Sequence, residues 1–362
     1  MVMMRKKQSL GAAKQINIPY LLKIGEGKIF KIGKYLIDKD LQNAALFFSP
    51  GIEEILADKL YSGFEAQQIK VIHKRIINEI DIEEITHVAF ALPPETDVII
   101  GLGGGKALDF AKYAAHLLKL PFISVPTSTS NDGFCSPSAS LLVDGRRRSV
   151  KSSIPFGVVI DLEVIRHSPE ICFYSGLGDM ISKVTALWDW KEAFRLGFER
   201  YNDFASMMAY NSLDLLFLKH SSDVTSREFQ RSLVTSLMIS GISMEIAGTS
   251  RPASGSEHLI SHALDNLSKR PRMHGLQVGV ATYLCALLQN NPSTQGVKEI
   301  LEKTGFFAKV AADPLDKKEF LEALKAAPSI KQDYYTILSE PQSYERAVAF
   351  IAEDSVLQSL IK

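Results

Sequence analysis

An apolar run, Asp97 to Leu102, passes directly into Gly103-Gly104-Gly105-Lys106, and a stretch with amphipathic helical spacing follows from Ala107 to Leu118. A strand that becomes a helix through three glycines strongly limits the folds open to a chain. The backbone N–H groups at a helix N-terminus lack partners and suit an anion, and glycines let a phosphate approach them closely. Two familiar phosphate motifs fail here. A P-loop needs Ser or Thr after Gly-Lys, where Ala107 stands, and the GxGxxG dinucleotide fingerprint needs glycine where Lys106 stands. The turn is therefore a phosphate seat of another kind, or only a tight strand–helix connection.

The surrounding pattern favours the first. Ala44–Ser49, Gln68–His73, Asp97–Leu102, Phe122–Pro126 and Phe156–Ile160 read as strands, and Ile52–Gly63 and Ala107–Leu118 as helices between them. That alternation predicts a parallel sheet covered on both faces, with ligands at the ends of its strands. Asp144-Gly145, between Leu141–Val143 and Ser149–Ser153, predicts a hairpin. After about Val164 helical spacing dominates: Gly178–Gly197, Phe204–Lys219, Arg227–Ile246, Glu257–Leu267 and Leu276–Leu288. The expected organisation is an α/β unit over residues 1–165 and an all-α unit over 166–362. A chain of 362 residues has room for about two domains.

Charge narrows the function. Lys+Arg and Asp+Glu are both 41, so no net field draws the chain to nucleic acid or anionic lipid. No apolar run approaches the ~20 residues of a membrane span. Cys135, Cys172 and Cys285 are too few and too scattered for a disulfide framework and fit a reducing compartment. The basic start, Met1 to Gln15, leads into no apolar segment of the kind a secretory signal needs. The expectation is a cytoplasmic protein acting on small molecules.

Three of the eight histidines, His258, His262 and His274, fall in one short stretch. His258 and His262 share a helix face, which Ser254 or Ser256 is placed to cap. Arg270-Pro271-Arg272 then breaks the chain before His274-Gly275 opens the next helix. Neutral imidazoles with one carboxylate compose a catalytic metal site with an open position. Spacing alone does not choose among Asp179, Glu257 and Asp265 for that carboxylate.

The segments GGGKALDFAK, PTSTSNDGFCSP, GLGDMIS, SRPASGSEHLISHALD and HGLQVG occur in one order. Together they resemble the family of glycerol dehydrogenase, iron-containing alcohol dehydrogenases and sn-glycerol-1-phosphate dehydrogenase, with dehydroquinate synthase a more distant relative. The likeness runs from about Pro19 to Leu288 and is nearest to the glycerol-1-phosphate branch. It implies a Rossmann-like parallel-sheet domain followed by a helical, dehydroquinate synthase-like domain. It also implies NAD or NADP, with the pyrophosphate on Gly103, Gly104 and Gly105 and with Lys106, Ala107 and Asp109 nearby. Thr127, Ser128, Thr129, Ser130 and Ser136 would line the nicotinamide side. Asp179, His258 and His274 would hold a divalent metal: zinc foremost, nickel or iron otherwise. Asp132 would contact substrate, and His262 would face its hydroxyls or relay a proton. The family's dimers and rings imply a homo-oligomer.

The reaction so implied interconverts a polyol phosphate and its ketone, foremost sn-glycerol 1-phosphate and dihydroxyacetone phosphate. A phosphorylated substrate needs a cation. Arg251 adjoins the histidine helix and is the first candidate, ahead of Lys151 and of Arg146-Arg147-Arg148, which reads as a solvated hairpin tip. The chain departs from the resemblance at three points. Leu276 stands where the family has Glu after His-Gly. Lys183 stands one turn after Asp179. The first strand ends in Phe48-Ser49-Pro50-Gly51, without the acidic residue that grips the adenosine ribose. The alternatives are a glycerol or other polyol dehydrogenase, a carbocycle-forming lyase, and a nucleotide-binding protein without chemistry.

Overall fold

The computed structural model describes residues 16–217 and 222–362. The basic start, residues 1–15, lies outside the described residues. The chain begins β1 (Leu21–Gly25), α1 (Ile32–Ile37), β2 (Asn43–Phe48), α2 (Ile52–Glu65), β3 (Lys70–Ile76), α3 (Ile82–Phe90), β4 (Val98–Gly103), α4 (Gly105–Leu118) and β5 (Phe122–Pro126). A hairpin, β6 (Ser138–Val143) and β7 (Arg146–Lys151), precedes β8 (Gly157–Asp161). Six strands form one sheet in the order β1-β8-β5-β4-β2-β3, and every pairing is parallel. β2, β4, β5 and β8 are buried almost throughout, as a sheet covered on both faces requires. One face packs Leu46, Ile100 and Val125 against α1 and α2, and the other packs Ala45, Phe47 and Ile99 against α3 and α4.

The strand expectations hold, with β1 added. It is half-buried at the sheet edge, and LLKIG has no alternation to mark it.

From Leu162 onward the long elements are helices: α5 (Leu162–Arg166), α6 (Glu170–Ile181), α7 (Lys183–Arg195), α8 (Asp203–Phe217), α9 (Arg227–Ala247), α10 (Ser256–Leu267) and α11 (His274–Leu288). α12 (Thr294–Lys303), α13 (Phe306–Ala311), α14 (Lys317–Ala326), α15 (Ser343–Glu353) and α16 (Ser355–Leu360) complete the chain. The end of the helix expected over Phe204–Lys219 lies outside the described residues. The helix expected over Gly178–Gly197 is two helices. The Asp179 carbonyl accepts from Ser182 Oγ at 2.6 Å and Lys183 Nζ at 2.7 Å, and the break falls there. Neither Ser254 nor Ser256 caps α10 through its side chain. The Asp189 carboxylate, from α7, accepts the Ser256 N–H at 2.7 Å instead. No helix among the described residues is long and apolar enough to cross a membrane.

Candidate active site

β2 and β4 are neighbours, but the chain leaves them towards opposite edges of the sheet, which opens a crevice at their C-terminal ends. The glycine turn lies there. Gly103 has φ +143°, and a Cβ on it would sit 2.2 Å from Ser49 Oγ, so only glycine fits. The Gly104 N–H donates to Ser49 Oγ at 3.1 Å. Gly105 opens α4 with empty space where a Cβ would stand, leaving the first-turn N–H groups accessible to an anion. Lys106 is exposed and donates to the Asn78 carbonyl at 3.0 Å, and Ala107 is buried beneath the turn. Asp109 is held by the Ser140 N–H at 3.0 Å and the buried Lys112 at 3.1 Å.

Two cavities flank the turn. One, of about 860 Å³, opens over Ser49, Ile52, Gly104 and Thr127. The other, of about 600 Å³, holds Gly105, Asp132, His258, His262 and His274. Thr127–Ser130, expected on the nicotinamide side, crosses between the two. Thr127 and Ser128 face the first cavity, Ser130 and Ser136 the second, and Thr129 is buried between them.

Helix packing assembles the second cavity. A Cβ on Gly178 would lie 1.9 Å from the Gly275 carbonyl oxygen, and one on Gly275 would lie 1.7 Å from that of Ser175. α6 and α11 therefore touch backbone to backbone, which sets Asp179 beside His274. His258 arrives on α10, with Nε2 3.4 Å from Asp179 Oδ1. One donor atom each from Asp179, His258 and His274 falls within 4.8 Å of the others. His258 Nδ1 pairs with Glu257 Oε1 at 2.8 Å, and His274 Nδ1 with Ser261 Oγ at 3.0 Å, so Nε2 of each ring is turned to the cluster. Partners of this kind orient imidazole metal ligands. Glu257, an open candidate in the sequence, stands behind His258, where it also accepts from Thr185 and the Gly255 N–H. Asp265 accepts from Gln277 at 3.0 Å. His262 stacks on His274 at 5.7 Å between ring centroids and faces the cavity.

Burial raises the Asp179 carboxyl, but the Lys183 ammonium and His258 outweigh it and hold it well below the usual carboxylate range. Burial, with the neighbouring His258, brings His274 down to about 3. His262 is likewise driven well down, by burial first and then by His274. Both rings are neutral at pH 7. Lys183, read as a lysine able to pair with Asp179 or reach substrate, is fully buried, 3.1 Å from Asp132 and 3.6 Å from Asp179. Asp132 also accepts from Ser240 at 2.7 Å, and its N–H donates to Asp179 Oδ2 at 2.9 Å.

Arg251 does not line the cleft, contrary to its expected role toward substrate. It is fully buried, with Nε 2.6 Å from Glu199, its Nη1 bonded to the Tyr335 carbonyl and its guanidinium 3.4 Å from the Tyr334 ring centroid. Arg146, Arg147 and Arg148 are all exposed on β7, and Arg147 also borders the second cavity and donates to Ser140 Oγ. Lys151 lines neither cavity. Lys331, absent from the candidates above, enters the second cavity from the segment after α14. Nothing local in SIKQDYY marks it. Leu276 is buried in the helical core, so no carboxylate follows the His-Gly pair.

Residues 23–169 match the family described as iron-containing alcohol dehydrogenase. The glycerol-1-phosphate dehydrogenase [NAD(P)+] of Methanosarcina barkeri is 35% identical over 331 residues, covering 90% of this chain and 92% of that one. That of Aeropyrum pernix is 35% identical over 335 residues, covering 90% and 93%. The crystal structure of glycerol dehydrogenase from Schizosaccharomyces pombe has the same fold, with a TM-score of 0.78, 22% identity and coverage of 96% of this chain and 92% of that one. With a glycine turn at the sheet crevice and an Asp/His/His set facing it, the chain belongs to the glycerol-1-phosphate dehydrogenase family among the iron-containing alcohol dehydrogenases, NAD(P)-dependent oxidoreductases acting on CH–OH groups.

Proposed function

We propose that the protein interconverts sn-glycerol 1-phosphate and dihydroxyacetone phosphate, with NAD or NADP bound along the crevice and a divalent metal on Asp179, His258 and His274. The observation that carries this reading is the convergence of those three donors within 4.8 Å beside the glycine turn. The donor set suits the ion. One carboxylate oxygen and two imidazole Nε2 atoms, each ring braced through Nδ1, are ligands of the kind zinc, nickel and iron accept, and they leave a position for substrate. Zinc is our first choice. When bound, the ion supplies Lewis-acid polarisation of the substrate oxygen, and the nicotinamide supplies the hydride chemistry.

The chain's own residues supply the rest. Gly104 and Gly105 seat the pyrophosphate on the α4 N-terminus. Lys183 stands against both Asp132 and Asp179 and holds Asp179 ionised, while burial and the Asp179 charge raise the Asp132 carboxyl beside it. Asp132, at the cavity wall, accepts a substrate hydroxyl. Neutral His262 offers a ring nitrogen to a second hydroxyl or to the proton released with it. The three cysteines are unpaired and buried, which suits the reducing cytoplasm.

The test is NAD(P)H oxidation with dihydroxyacetone phosphate, with and without added Zn²⁺, against dihydroxyacetone. Metal-dependent turnover of the phosphate ester is expected, with Asp179→Asn or His274→Ala abolishing it and releasing the metal. Full activity in either variant, or turnover of the unphosphorylated ketone alone, would remove the reading.

A further inference from the structure

Four cations line the second cavity: Lys106, Arg147, Arg272 and Lys331. Two are already engaged. Lys106 is bound to the Asn78 carbonyl beside the glycine turn, and Arg272 is paired with Asp313 at 2.8 Å. Among the described residues, Lys331 and Arg147 have no carboxylate in ion-pair range. Lys331 Nζ donates to two hydroxyls, Ser250 Oγ at 3.1 Å and Ser254 Oγ at 3.4 Å, and lies over the face of Tyr334 at 4.4 Å. Arg147 gives its Nε to Ser140 Oγ. Cations that border a cleft with no carboxylate in contact are free to take an anion from outside.

The two come from different parts of the fold to the same cavity. Arg147 lies on β7, which rests against α10, the helix of His258 and His262. Lys331 lies beyond α14, on a stretch fastened to the segment preceding α10. The Tyr334 hydroxyl donates to the Ser254 carbonyl, Arg251 donates to the Tyr335 carbonyl, and the Ile337 N–H donates to Asp189 at 2.8 Å.

We infer that Lys331 receives the phosphate of the substrate, with Ser250 and Ser254 beside it and Arg147 closing over the same group from the hairpin. This rests on the phosphorylated-substrate reading above and names the residues that make the site prefer a phosphate ester to the bare polyol. Lys331 is a specificity residue, because it touches the phosphate and not the reacting carbon. Arg251, in the interior, fastens the stretch that carries it.

Two readouts test it. In kinetics, the ratio of kcat/KM for dihydroxyacetone phosphate to that for dihydroxyacetone should fall ~10–100-fold in Lys331→Met, as loss of a charge-assisted contact predicts, and by less in Arg147→Ser. Lys331→Arg keeps the charge and should retain most of the ratio, which separates lost recognition from a damaged fold. An unchanged ratio in Lys331→Met overturns the inference. In binding, inorganic phosphate titrated calorimetrically into the metal-loaded protein should bind the wild type and lose at least tenfold affinity in Lys331→Met. Equal binding overturns the inference. The binding arm needs no turnover. A protein that binds phosphate through Lys331 yet reduces neither ketone would sink the substrate reading and leave the phosphate site standing.

Discussion

Arg251 and Lys331 lie over the same aromatic ring. The Arg251 guanidinium is 3.4 Å and the Lys331 ammonium 4.4 Å from the Tyr334 centroid. Arg251 is ion-paired to Glu199 inside the protein, while Lys331 faces the cavity with hydroxyl partners. One cation supports the segment and the other is presented by it. Arg251→Met should therefore cost about 3–5 kcal/mol of stability, the range for breaking a buried pair. It should also weaken phosphate affinity through Lys331. In a double-mutant cycle with Lys331→Met, the effect on phosphate binding should be less than additive. Additive losses would mean that the two residues act independently.

Burial, and then the nearby Arg251, bring Lys331 down to about 8. A lysine is charged below its pKa, so phosphate recognition should be complete at pH 7 and fade as pH rises through about 8. The substrate phosphate, with its second pKa near 6, stays a dianion over that range. The profile of kcat/KM for dihydroxyacetone phosphate should bend downward near pH 8, and the bend should move up in Lys331→Arg. A bend unmoved by that substitution would assign it to another group.

Glu257 braces His258 from behind at 2.8 Å. Glu257→Gln should lower metal affinity ~10–100-fold, the usual cost of losing such a partner, with the fold retained. Competition with a chromophoric chelator measures this, and unaltered retention would make Glu257 a packing residue only.

Gly178 and Gly275 set the distance between α6 and α11. Gly178→Ala places a methyl 1.9 Å from the Gly275 carbonyl oxygen, so the helices must separate. The expected result is a loss of about 3 kcal/mol, the upper end of what overpacking gives, together with loss of metal. Thermal melting and metal analysis on the same sample test both.

Asp189 gathers three elements: it accepts from the Ser256 N–H, the Ile337 N–H and Gln289. Burial, and then the charge of Glu257, push it up to about 7. A carboxyl raised in the native state binds its proton more tightly there than in the unfolded chain. Its contribution to stability should therefore decline as pH rises from about 4 through 7. Asp189→Ala, which strands buried donors, should cost about 3 kcal/mol or more in urea titration, and should flatten that pH dependence.

The sequence by itself determined the parallel sheet, the hairpin and the glycine turn, because these are local matters. Alternation, helical spacing and the lack of a Cβ at Gly103 act within one strand or one turn. Spacing left Asp179, Glu257 and Asp265 open and the family resemblance named Asp179, but only the tertiary structure brings the Asp179 carboxylate within 4.8 Å of both imidazoles. That convergence depends on α6 meeting α11 across Gly178 and Gly275, nearly one hundred positions apart. The cation that meets the phosphate was likewise decided in three dimensions. Arg251 adjoins the histidine helix in sequence, yet its side chain turns inward to Glu199. Lys331, in a segment without a motif, is carried into the cleft by Tyr334, Arg251 and Asp189. Whether a charge meets solvent or a carboxylate is set by the partners the fold brings to it, and adjacent residues along the chain do not contain that information.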